Sequence, residues 1–170
     1  MRGNMSSSSS SSRAFVATLV VTCMCLVTAR AQNVPPIVGT WKLNREKSQL
    51  PAVPAGWFDI RQYALRPDGY LVGLLVTSNN RGVHYLQFTA KSDGKDYVEY
   101  SDELLADMIA AAKPTTRTYA ETVIDEFTTA WTDKVEGKVV ATGRKIVSKD
   151  RQTLTITVDG RSQVTVYDRQ

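Results

Sequence analysis

The chain changes its hydrophobic rhythm once. Residues 14–27 form one continuous apolar block, and everything beyond Pro36 alternates apolar and polar positions in short runs separated by turn residues. Period-two alternation over four to eight residues predicts half-buried β-strands, whereas an unbroken apolar block with different flanks does not belong to the same sheet. The two parts are therefore read separately.

Arg2 and Arg13 precede the apolar block and Ala29-Arg30-Ala31 follows it. A basic start, an apolar middle and an Ala-x-Ala end predict a cleaved secretory signal peptide over residues 1–31, with the cut after Ala31. This makes residues 32–170 a secreted or periplasmic domain. Two other readings remain open. A retained anchor would use Ala14–Ala29, which falls short of the roughly 20 residues a spanning helix needs. A lipoprotein cut before Cys23 would place Thr22 where a smaller residue is usual. The serine run Ser6–Ser12 is low in complexity and goes with the leader.

In the remainder, the alternation predicts strands over 38–44, 58–66, 70–78, 83–91, 96–100, 115–125, 126–135, 139–148, 153–159 and 163–169. Pro67-Asp68-Gly69, Asn79-Asn80-Arg81-Gly82, Ser92-Asp93-Gly94-Lys95 and Glu136-Gly137-Lys138 supply turns between them. Gly73, inside an apolar run, marks a candidate bulge or bend. One segment breaks the pattern. Ser101 can cap a helix over 102–112 whose first turn carries Asp102 and Glu103, with Leu104, Leu105, Met108, Ile109 and Ala112 on one stripe before Pro114. This helix packs on the barrel or forms a lid. Consecutive hairpins predict an all-β fold, an antiparallel up-and-down barrel of about nine or ten strands with one short helix, because closure removes exposed edges.

Charge and cysteine content narrow the function classes. The whole chain has 21 basic and 17 acidic residues and a net charge of +4. Arg2, Arg13 and Arg30 lie in the leader, so the domain is nearly neutral and has no footprint for nucleic acid. Both cysteines, Cys23 and Cys25, also lie in the leader. The domain is thus expected to lack disulfides, thiolate metal sites and thiol nucleophiles. No phosphate loop, dinucleotide fingerprint or calcium loop is present, and no cofactor is expected. Cleavage would leave no stable membrane span.

Gly39-Thr40-Trp41-Lys42-Leu43-Asn44 carries a Gly-x-Trp on the first strand. It resembles the opening of the calycins, the lipocalins and fatty-acid-binding proteins, which are antiparallel barrels with a ligand cavity. The segments 148–157 and 164–169 look like the last hairpin of a fatty-acid-binding barrel. Residues 39–48 and 166–170 are also similar to the ends of a group of exported bacterial proteins. The resemblance implies that Gly39 and Trp41 plug one end of the barrel. Fatty-acid-binding proteins hold a carboxylate with Arg-x-Tyr on the last strand. Tyr167 matches the tyrosine, but Thr165 stands at the arginine position.

Arg61 and Tyr63 alternate on one predicted strand, Arg117 and Tyr119 on another, and Tyr167 sits on the last. If these faces point inward, they form a site for an anionic head group, with bidentate arginine contacts and tyrosine hydroxyls. If they point outward, they cover the barrel wall. His84, which shares a face with Leu86 and Phe88, joins these as a candidate ligand contact, although a lone histidine is a poor metal site. Asp125 and Glu126 are adjacent and so face opposite sides of a strand, which is wrong for an acid–base pair. These patterns point to a non-enzymatic binder of a small apolar or amphipathic molecule. The alternatives are an envelope structural or protein-interaction module with a filled barrel, or an enzyme working at the barrel mouth.

Overall fold

A computed structural model describes residues 34–51, 56–79, 82–102, 106 and 115–170. The described residues form ten antiparallel strands: β1 (Gly39–Leu43), β2 (Asp59–Leu65), β3 (Leu71–Asn79), β4 (Gly82–Ala90), β5 (Tyr97–Ser101), β6 (Arg117–Val123), β7 (Thr128–Val135), β8 (Lys138–Val147), β9 (Thr153–Val158) and β10 (Val164–Arg169). Each pairs with its sequence neighbour, and β1 pairs with β10 to close the sheet into an up-and-down barrel. The seam registers Trp41 against Arg169 and Leu43 against Tyr167. The hairpin rhythm of the sequence is therefore the topology itself.

Turn chemistry sets these hairpins. Glu136 (φ 50°) and Gly137 (φ 75°) form the two-residue link between β7 and β8, and both occupy the left-handed region that such a link requires. β7 and β8 also contain the register shift of the barrel, between Asp133 and Lys134. Gly73, by contrast, is no bulge: β2, β3 and β4 pair through it without a shift. Its missing side chain makes room for the Phe88 ring, with which a Cβ would collide. The predicted helix falls mainly on residues outside those described. β5 runs through Ser101, so that residue ends a strand. Asp102 and Ala106, the described residues of that stretch, are helical, and the Asp102 carboxylate also accepts the Tyr85 N–H at 2.9 Å.

Alternation assigns the two faces. Asp59, Arg61, Tyr63, Phe88, Glu99, Tyr119, Glu121, Lys145, Leu154, Ile156 and Tyr167 lie on inward-facing positions, while Ile60, Tyr85, Val98, Tyr100 and Ile146 are exposed on the outside. At one end a turn of the lead-in, closed by Val38 N–H to the Pro35 carbonyl at 3.0 Å, carries Ile37 under the barrel. Trp41 is fully buried there and donates its indole N–H to the Ile37 carbonyl at 2.7 Å. The Trp41 ring and Ile37 pack together at that end of the barrel. The connections β2–β3, β4–β5, β6–β7 and β8–β9 share that end. Those of β1–β2, β3–β4, β5–β6, β7–β8 and β9–β10 lie at the opposite end.

Candidate functional site

The inward face is strongly ionic. Two triplets at period-two spacing bring charges into the barrel: Asp59, Arg61 and Tyr63 on β2, and Arg117, Tyr119 and Glu121 on β6. Glu99 on β5, Asp133 on β7 and Lys145 on β8 join them. Burying such groups is unfavourable unless each is paired and hydrogen-bonded, and the pairing here is specific.

Asp59 takes two contacts from Arg61, at 3.2 and 3.1 Å, and accepts the Tyr167 hydroxyl at 2.9 Å. The Arg61 guanidinium also lies 4.8 Å from the Tyr167 ring centroid. Burial opposes the charge of Arg61, but Tyr167 and Asp59 outweigh it and keep the group protonated. Farther round the wall, Lys145 donates to Glu121 at 2.8 Å and to the Tyr119 hydroxyl, which in turn donates to Glu121. Ser92 supplies a further hydrogen bond to Glu121 at 3.0 Å. Burial alone would raise the Glu121 carboxyl. The Lys145 ammonium and the donated hydrogen bonds hold it below the usual carboxylate range. Lys145 sits in an aromatic cage, 5.0 Å from the Tyr63 centroid, 5.1 Å from Phe88 and 4.8 Å from Tyr119. Phe88 and Tyr119 stack at 4.1 Å.

The third group is arranged differently. Arg117 meets two carboxylates, Glu99 at 2.5 Å and Asp133 at 3.2 Å. The Glu99 contact is an ion pair without the angle of a hydrogen bond. Burial, reinforced by Asp133, pushes the Glu99 carboxyl up to about 7, against the partial relief from Arg117 and Lys145. Asp133 is also raised, by burial, despite Arg117.

Two cavities border this network. One, of about 200 Å³, lies toward the end opposite the Trp41 plug. It is walled by Leu75, Leu86, Phe88, Trp131 and Ile156 on its apolar side and by Arg61, Tyr63, Glu99, Tyr119, Asp133 and Lys145 on its polar side. The Tyr63 hydroxyl and the Trp131 indole N–H, both buried, have no hydrogen-bond partner among the described residues. The other cavity, of about 340 Å³, lies at the plugged end against the lead-in and the β6–β7 connection, where Thr129 Oγ1 is unpartnered. Among the described residues, no three His, Cys, Asp or Glu side chains come together in a way that could hold a metal ion.

The residues singled out in the sequence all fall on inward-facing positions, but they do not form one site. Arg61, Tyr63 and Tyr119 line the 200 Å³ cavity. Arg117 stands behind Glu99 and Asp133, and Tyr167 is engaged by Asp59. His84 lies half-buried toward the rim, its Nδ1 2.8 Å from Asp102. Neither arginine offers an uncompensated charge to an anionic head group, since each already faces carboxylates. The sequence reading missed Asp59, Glu99, Glu121, Asp133, Lys145 and Trp131. The signal for two of them was present in the alternation, because Asp59 and Glu121 continue the same parity as the Arg–Tyr pairs.

Compared with known proteins, this chain matches no protein-family model and no curated relative.

Proposed function

We propose that the barrel is an exported binder of a small amphipathic molecule, held in the 200 Å³ cavity. Export rests on the basic, apolar and Ala-x-Ala order of residues 1–31. Binding rests chiefly on one observation: an interior space, part apolar and part polar, faces a tyrosine hydroxyl and an indole N–H that no group among the described residues satisfies. Buried polar groups are normally partnered, and unpartnered ones inside a cavity are the convergent polar contacts that orient a ligand. Size limits the guest. The cavity is somewhat larger than the ~150 Å³ void that holds benzene and smaller than the roughly 300–1,000 Å³ of pockets for larger ligands. The reading therefore favours a substituted single ring or a short branched chain over a long acyl chain.

One observation favours a second reading, a filled barrel serving as a structural or interaction module. Much of the interior is occupied by ionic groups that satisfy one another. Native mass spectrometry of protein purified from its own host separates the two. The binder reading expects a non-covalent adduct of single-ring size that disappears in Leu86→Trp, a substitution that fills the cavity. An unliganded mass in the wild type, together with a loss of stability in Leu86→Trp from overpacking, would favour the filled module.

A further inference from the structure

The charges around the 200 Å³ cavity do not balance one to one. Asp59 has Arg61 at 3.1 Å and Glu121 has Lys145 at 2.8 Å, but Glu99 and Asp133 share the guanidinium of Arg117, at 2.5 and 3.2 Å. Glu99 and Asp133 both line the cavity, and Glu99 is only 2% exposed. Tyr63, also 2% exposed, lines the same space with its hydroxyl unpartnered. A buried carboxylate without a cation of its own is neutralised either by a proton or by a positive charge that arrives from outside.

We propose that the cavity takes a small organic cation, an ammonium group on a single ring or short branched chain, seated against Glu99 and Asp133. The proposal deepens the binder reading above and rests on it. The Tyr63 hydroxyl can accept a hydrogen bond from the ammonium, and the Trp131 and Phe88 walls suit the apolar body and the cation alike. An anion would instead meet the surplus carboxylate.

Proton linkage follows from the same arrangement. Glu99 faces Arg117 and Tyr119 from β6, Asp133 from β7, Lys145 from β8, and Arg61 and Tyr63 from β2 across the cavity. From β4 it faces the uncharged Leu86 and Phe88, and His84 of that strand is tied to Asp102. Burial and Asp133 hold Glu99 at about 7. Seating a cation favours the ionised form, so binding below that pH must release a proton.

The test is isothermal titration with benzylamine, benzyl alcohol and benzoate, which share one ring and differ in charge. Benzylamine is expected to bind at least about tenfold tighter than benzyl alcohol at neutral pH, with benzoate weakest. Its affinity should weaken as the pH falls below about 7, approaching tenfold per unit, with proton release visible as a dependence on buffer ionisation enthalpy. Glu99→Gln should bring the amine-to-alcohol ratio close to one, and Asp133→Asn provides the same readout should the first variant fail to fold. Benzyl alcohol or benzoate binding as tightly as the amine would overturn the cation while leaving the binder reading intact. An amine preference that survives in both variants would overturn the role of the two carboxylates. If the folded protein takes up none of the three probes, the cation proposal fails, and the adduct measurement above decides the binder reading separately.

Discussion

The guanidinium of Arg169 lies 4.2 Å from the ring centroid of Trp41, and the two residues are register partners across the seam that closes the barrel. The same guanidinium donates to the carbonyls of Pro36 at 2.6 Å and Val38 at 2.8 Å, while its Nε donates to Arg151 at 2.5 Å. One side chain therefore ties the lead-in, β10 and the β8–β9 connection over a buried indole. Gly39 permits this approach, because a Cβ at its φ of 142° would collide with Arg169.

Trp41→Ala should lower stability by about 3–5 kcal/mol, since it removes a fully buried ring and its N–H bond. Arg169→Ala should cost about 1–3 kcal/mol by leaving two lead-in carbonyls short of their donor. Denaturant unfolding of both singles and the double measures their coupling. Strictly additive losses would show that the stacked contact contributes nothing of its own.

Glu99 makes stability pH-dependent in an unusual direction. Between the ordinary 4.5 and about 7, the folded protein holds a proton that the unfolded chain has released. Stability therefore falls as pH rises through that window, by on the order of 3 kcal/mol, and stays at the lower level above it. Glu99→Gln should flatten the curve of melting temperature against pH there. A wild-type curve that climbs from pH 5 to pH 7 would contradict the assignment.

Glu121 contributes with the opposite sign. Its folded value is depressed by Lys145 and the hydrogen bonds around it, against the upward push of burial. Its contribution is complete above the ordinary 4.5 and is lost as pH falls through the depressed value. Acid unfolding should therefore be less steep in Glu121→Gln than in the wild type.

Lys145→Met should destabilise by about 3–5 kcal/mol, because Glu121 would be left charged and buried without its cation. Pairing it with Glu121→Gln should restore much of that loss, and urea titrations of the three proteins make the comparison.

Gly143 offers a steric check on the wall of the 200 Å³ cavity. A Cβ there would collide with the Thr157 carbonyl and approach the Trp131 ring at 2.7 Å. Gly143→Ala should cost roughly 1–3 kcal/mol and alter Trp131 fluorescence, since a backbone oxygen cannot rotate away as a side chain can.

Much of the architecture could be read from the chain because it is local. Alternation and turn residues placed ten strands within a residue or two, and consecutive hairpins left few topologies besides a closed one. Parity also put Arg61 with Tyr63, and Arg117 with Tyr119, on single faces. The site was less legible because its decisive contacts join strands distant in sequence. Glu99 meets Arg117 across the β5–β6 connection, Asp133 reaches the same guanidinium from β7, and Lys145 comes from β8. Alternation says that a residue shares a face with its second neighbour. It does not say which charge from another strand arrives opposite, and that partner decides whether an arginine is free or satisfied. Gly73 shows the same limit: its bare backbone answers to Phe88 on the adjacent strand, not to any bend in its own.

The seam between β1 and β10 joins the two strands farthest apart along the chain, and the Gln170 amide reaches back to the Thr40 carbonyl at 2.9 Å. A polypeptide lacking β10 would present two raw sheet margins, each able to recruit a strand from another molecule. Zipping that seam is therefore expected late in folding, since it closes the longest loop available. With both ends of the barrel chain side by side, a circularly rearranged version, linked across the seam and cut at a distal hairpin, should assemble the same barrel with the order of events reversed.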